Sequence, residues 1–145
     1  SANRIREIAS YFEVEMVICD KHRKRANEIA SMVVIGDVAD RDIVLIDDIC
    51  DTGGTLVKSA ALLKEKGARS VRALITHPVL SGKAYENIEN SVLEELVVCD
   101  TIPLKQEGKK IKVLSVADLF AVALRNAFEN KSITSLFMHA QRRDK

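Results

Sequence analysis

Apolar positions along the chain follow two alternating templates, one spaced every three to four residues and one gathered in short continuous runs. Ile5, Ile8, Ala9 and Phe12 fall at helical spacing and predict a helix over residues 4–12. A short β-type run over residues 15–19 follows and ends at Asp20. The basic stretch Lys21-His22-Arg23-Lys24-Arg25 has no apolar period and reads as a loop, and a second short run over residues 32–35 closes at Gly36-Asp37. Ile43-Val44-Leu45-Ile46 is aliphatic throughout, as expected of a strand buried on both faces of a parallel sheet. It leads into Asp47-Asp48, a turn with two glycines, and an amphipathic helix over 55–66 that Gly67 should stop. Further strands are predicted at 71–75, 96–99 and 111–114, and a last helix at 116–130 carries Leu119, Phe120, Ala123, Leu124 and Phe128 as one stripe.

Strands alternating with helices in this way predict an α/β fold: a doubly wound, mainly parallel sheet flanked by helices. With 145 residues and no internal linker, one domain over residues 1–138 is expected, followed by a polar, basic tail over 139–145. A helix feeding a parallel strand normally has a strand before it, and none stands ahead of residue 4. Residue 1 is Ser, so the chain is expected to begin inside a longer protein.

Composition narrows the function. Lys and Arg number 22 against 21 Asp and Glu, a formal charge of +1 that makes no long-range field for nucleic acid. There is no Trp and aromatics make up 4%, so base-stacking surface is scarce. No apolar run reaches the ~20 residues of a membrane span. The three cysteines, Cys19, Cys50 and Cys99, are widely spaced and form no C-x-x-C pair, which disfavours a disulfide framework or zinc site and suits a reducing cytoplasm. They read as small buried hydrophobes, with Cys50 the possible exception.

The chemistry concentrates at Val44-Leu45-Ile46-Asp47-Asp48-Ile49-Cys50-Asp51-Thr52-Gly53-Gly54-Thr55-Leu56. Ligands of open parallel sheets bind beyond the carboxyl ends of the strands, where this segment turns into a helix. A helix N-terminus offers unpaired amides and about half a positive charge to an anion. Gly53 and Gly54 allow close backbone approach, and Thr52 and Thr55 add hydroxyls. Asp47 and Asp48 can accept sugar hydroxyls or help hold Mg²⁺. By itself, an ordinary strand–turn–helix with an acidic turn explains the segment equally well. The spacing fits neither a Walker-type phosphate loop nor a Rossmann fingerprint.

The same thirteen residues resemble the phosphoribosyl-diphosphate (PRPP) motif of the type I phosphoribosyltransferase fold. Five more blocks resemble the ribose-phosphate pyrophosphokinases, or PRPP synthetases, in order and spacing: residues 21–27, 34–38, 76–82, 90–92 and 99–103. The resemblance covers about residues 2–138 and only the C-terminal half of that family. It implies transfer of the β,γ-diphosphoryl group of ATP to the 1-hydroxyl of ribose 5-phosphate, with Mg²⁺, in a cytoplasmic homo-oligomer. It also implies that Asp51, Thr52, Gly53, Gly54 and Thr55 hold the sugar 5-phosphate, and that Asp47 and Asp48 hold the ribose hydroxyls. Lys21 and Arg23 match the basic pair of a mobile catalytic loop, where cations would stabilise the charge that develops on the transferring group. His22 stands where an arginine is common.

Ser132, Thr134 and Ser135 resemble a segment where some members bind a regulatory phosphate, although hydroxyls at a helix end also serve as caps. His77 before Pro78 is expected to be structural, and Ser81-Gly82 receives no role. The family's adenine-binding residues and a metal-binding His belong to the half without a counterpart here, so the isolated chain is expected to be inactive. Two other readings are a phosphoribosyltransferase and a non-catalytic, regulatory synthetase-like subunit. The first would carry a base-selecting hood, for which no insertion is visible. The second would let the basic loop and the phosphate turn decay, and both are intact in composition.

Overall fold

The aliphatic run at residues 43–46 forms the middle of a nine-residue strand in the computed structural model of the chain, which describes residues 2–22 and 31–137. The elements in order are α1 (Ala2–Tyr11), β1 (Ile18–His22), β2 (Ser31–Ile35), β3 (Asp42–Cys50), α2 (Gly54–Glu65), β4 (Ser70–Pro78), α3 (Ala84–Glu89), β5 (Glu95–Cys99), β6 (Ile111–Leu114) and α4 (Ala117–Phe128), then a 3₁₀ turn, Thr134–Leu136. By internal contacts the chain divides into two units, one ending at Leu114 and one beginning at Ser115.

In the first unit β1 and β2 pair antiparallel, with Lys21 opposite Met32 and His22 opposite Ser31. This corrects the expectation of a loop starting at Lys21: Lys21 and His22 complete β1, while residues 23–25 lie outside the described residues. Ladder bonds are made by the backbone, so a partner strand can recruit Asp20-Lys21-His22 although their side chains carry no apolar pattern.

The other sheet is parallel, in the order β3-β4-β5-β6. Its register places Leu45, Ala73, Leu96 and Ile111 side by side on one face. Ala73 and Leu96 are fully buried there, in one cluster with Ala60 and Leu63 of α2 and Ala84 and Ile88 of α3. Right-handed crossovers between consecutive neighbours set both helices on the same side of the sheet. The opposite face carries Val44 and Leu74, 50% and 41% exposed. The run at 43–46 is therefore covered on one face only, which corrects the two-sided burial its composition predicts. α3 was not anticipated: six residues give too few turns for a period to register.

At the amino ends of the strands Asp42 ties β3 to the start of β4. Arg69 Nε donates to Asp42 Oδ1 at 3.1 Å, and Ser70 Oγ donates to the same oxygen at 2.5 Å. The Arg69 and Ser70 hydrogen bonds hold the Asp42 carboxyl far below the usual carboxylate range. Gly67, at φ 93°, ends α2 as predicted. In the second unit α4 forms where the apolar stripe predicts it, and Asn126 Nδ2 donates to the Ser132 carbonyl at 3.2 Å. Among the described residues no helix is long and apolar enough to cross a membrane.

Candidate functional site

β3 carries its carboxylates near the carboxyl end of the parallel sheet, where Asp47 and Asp48 are both exposed. The Asp48 amide donates to Asp47 Oδ1 at 2.9 Å. Hydrogen bonding, with Asp47 first and then to its own amide, holds the Asp48 carboxyl below its ordinary value. The Asp48 carboxyl is thus ionised at neutral pH.

Beyond β3, residues 51–53 turn the chain into α2. Gly53 occupies the N-cap at φ 72°, ψ −7°, and no side chain caps the helix. The first-turn amides of α2 therefore have no side-chain cap and are available as donors to an anion. A Cβ at Gly53 would lie 3.6 Å from Ile88 and 3.7 Å from the Ala84 carbonyl, ordinary contact distances. Backbone conformation, not space, requires glycine there. At Gly54 a Cβ would meet only Thr52 Oγ1, at 3.7 Å, so the missing side chain leaves the helix start open. Thr52 and Thr55 are exposed beside it.

The turn is fastened from the β4–α3 segment. The Leu80 amide donates to the Cys50 carbonyl and the Ser81 amide to the Asp51 carbonyl, each at 3.1 Å. Ser81 Oγ donates to Asp51 Oδ1, and Asn87 Nδ2 donates to the Thr52 carbonyl at 3.0 Å. Neither residue has an expected role from sequence: Ser81 stands in a segment with none assigned, and Asn87 in no motif. The partners lie 30 and 35 residues away, and only the fold brings them together.

Asp47, Asp48 and residues 51–55 are thus assembled at one edge. Lys21 lies in β1, and Arg23 falls outside the described residues. His77 Nδ1 is 2.9 Å from Thr101 Oγ1, whose hydrogen goes to the Thr76 carbonyl at 2.8 Å. Thr101 has a single hydrogen to give, so Nδ1 must be the donor, which agrees with the structural role expected of His77. Ser132 Oγ donates to Thr134 Oγ1 at 2.9 Å and accepts the Thr134 amide at 3.1 Å, so both hydroxyls serve a local turn. Cys50 is the buried cysteine, while Cys19 and Cys99 are half-buried, the reverse of the expected exception. Burial pushes the Cys50 thiol up, partly offset by the Gly53 amide.

No group of three metal-ligating side chains occurs among the described residues. The carboxylate pair alone suits Mg²⁺, which commonly takes one or two carboxylates and fills its shell with water and substrate phosphates. A groove of about 350 Å³ between α2 and α3 shares Asn87 with the turn but none of the expected sugar or phosphate residues.

Residues 8–138 match the family model described as the phosphoribosyl synthetase-associated domain. The chain is similar to the ribose-phosphate pyrophosphokinase of Campylobacter jejuni, 55% identical over 93% of this chain and 44% of that protein. That of Wolinella succinogenes is 53% identical over the same shares. A crystal structure of phosphoribosylpyrophosphate synthetase from Mycobacterium smegmatis superposes with a TM-score of 0.77 at 33% identity, over 88% of this chain and 42% of that one. The chain spans less than half the length of the curated relatives it matches.

Proposed function

Since this chain belongs to the phosphoribosyl synthetase-associated domain family, we propose that it forms the ribose-5-phosphate half-site of a ribose-phosphate pyrophosphokinase. In this reading residues 1–138 are a C-terminal phosphoribosyltransferase-like domain, residues 139–145 are its tail, and the whole protein is a cytoplasmic homo-oligomer. One observation carries the proposal: an uncapped helix start, opened by Gly53 at φ 72° and by Gly54, stands next to an exposed carboxylate pair.

The amides and the Thr52 and Thr55 hydroxyls bind the sugar 5-phosphate, and Asp47 and Asp48 accept the ribose hydroxyls. So held, the 1-hydroxyl oxygen attacks the β-phosphorus of ATP. The bond from that phosphorus to the oxygen bridging to the α-phosphate breaks, AMP leaves, and the hydroxyl proton passes to solvent. Lys21 and Arg23 stabilise the charge that builds on the transferring oxygens. Mg²⁺, when bound, supplies charge neutralisation on the phosphates, and Asp47 and Asp48 are the oxygen donors this chain offers it. Ser132 and Thr134 are assigned to the local turn, in place of a regulatory phosphate.

Holding both reactants in one site is worth ~7–11 kcal/mol, so a chain with only the sugar half loses most of the acceleration. The test is AMP release from ATP, Mg²⁺ and ribose 5-phosphate. The full-length protein should turn over and the 145-residue chain should not. Soaked ribose 5-phosphate should lie with its phosphate on residues 51–55. A phosphate bound elsewhere with that turn empty, or full turnover by the short chain, contradicts the proposal.

A further inference from the structure

Resting on that functional reading, we propose that the β4–α3 segment is the positioning element of the sugar-phosphate turn, with Ser81 and Asn87 as its positioning residues. The carbonyls of three successive residues, Cys50, Asp51 and Thr52, are all taken by this one segment, through the Leu80 amide, the Ser81 amide and the Asn87 carboxamide. Across a planar trans peptide the carbonyl of one residue and the amide of the next point in opposite directions. Drawing the Cys50 and Asp51 carbonyls toward Leu80 and Ser81 therefore turns the amides of Asp51 and Thr52 to the side away from the clamp. Consecutive amides exposed on one side of a turn make an anion-binding concavity.

Ser81 contributes twice, since its hydroxyl also donates to the Asp51 carboxylate. That bond fixes the one negative charge inside the turn. Without it the Asp51 carboxylate would be released to swing beside the phosphate site and repel the ligand. The donor segment is itself held in place. Leu80 is buried and adopts φ 44°, a left-handed conformation costly for leucine, which lasts only where the surroundings impose it. Ser81 also accepts the Ala84 amide at 3.1 Å, at the start of α3. The turn alone, with two glycines, would have to be ordered at each binding event; the clamp orders it beforehand.

The experiment compares Ser81→Ala, Ser81→Thr and Asn87→Ala with wild type in the full-length protein, by two readouts. The first is amide hydrogen exchange at Leu80 and Ser81, the clamp's own backbone donors, without substrate, expected to accelerate about tenfold in Ser81→Ala and Asn87→Ala. The second is the affinity for ribose 5-phosphate, expected to weaken about tenfold in Ser81→Ala, with the KM for ATP and the Tm unchanged. Ser81→Thr keeps the hydroxyl and should restore both readouts. Unchanged exchange in the alanine variants overturns the clamp, as does an equal loss of ATP affinity and thermal stability. Wild-type protein that fails to bind ribose 5-phosphate overturns the functional reading, and with it the assignment of Ser81 and Asn87 to substrate positioning.

Discussion

Replacing Gly53 and Gly54 one at a time with alanine separates backbone conformation from access at the turn. At Gly53 the added methyl would meet Ile88 and Ala84 at 3.6–3.7 Å, so it clashes with nothing. What it must accept is φ 72°, which costs a non-glycine residue roughly 1–2 kcal/mol. Any Gly→Ala change also stiffens the unfolded chain and recovers ~0.4–1 kcal/mol. Gly53→Ala should therefore destabilise by about 1 kcal/mol, or ~2–4 °C in Tm for a chain of this size. Gly53→Asn, which tolerates the left-handed region better, should fall between it and wild type.

Gly54 is the first residue of α2 and does not have a positive φ. Gly54→Ala should be neutral or stabilising by up to ~1 kcal/mol. Its methyl, however, stands 3.7 Å from Thr52 Oγ1, on the side where the phosphate is proposed to sit, and ribose-5-phosphate affinity should fall at least tenfold. Thermal unfolding and calorimetric titration on the same three variants check both halves. Wild-type stability in Gly53→Ala would refute the conformational argument, and wild-type affinity in Gly54→Ala would refute the placement of the phosphate.

Two more outcomes follow from the same structure. In the full-length protein Lys21→Ala should lower kcat by orders of magnitude while ribose-5-phosphate affinity holds, if its charge acts on the transition state as proposed; near-normal turnover in steady-state assays would remove Lys21 from catalysis. The Asp42 carboxyl is depressed in the folded state by Arg69 and then Ser70, so its contribution is complete above the unfolded carboxylate pKa of ~3.9 and is lost as pH falls below that toward the folded value. Asp42→Asn should flatten the acid limb of the Tm-versus-pH curve below pH ~4, and an unchanged limb would assign acid lability to other carboxylates.

Elements marked by an apolar run or stripe were legible from sequence, even where that stripe is exposed, as in α4. β5, β6, α2 and α4 lie within a residue or two of their expected bounds because each couples a periodic stripe to clear stop signals such as Gly67. Backbone pairing was less visible: β1 extends through Lys21 and His22, and β4 runs on through His77 to Pro78, since ladder bonds are indifferent to side-chain polarity. The aliphatic composition of 43–46 overstated its burial because a strand covered on one face still favours β-branched residues. The site split the same way. Asp47 to Thr55 is one continuous stretch and could be read as a unit, whereas Ser81 and Asn87 reach it only through the crossover that folds β4–α3 against the turn.

The strand order has a consequence for how the protein is made. Because β3, β4, β5 and β6 are neighbours in the order in which they occur along the chain, the sheet can grow outward at one edge as the polypeptide leaves the ribosome. No strand has to be inserted between two that have already paired, which spares the nascent chain the long-range rearrangement that slows many parallel sheets. The carboxylates, the glycine turn, Ser81 and Asn87 all fall between Asp42 and Asn90. Every residue of the proposed sugar-phosphate site is therefore synthesised before β5 begins at Glu95. At ~5–20 residues per second, the turn and its clamp can close a second or more before β6 arrives to complete the sheet.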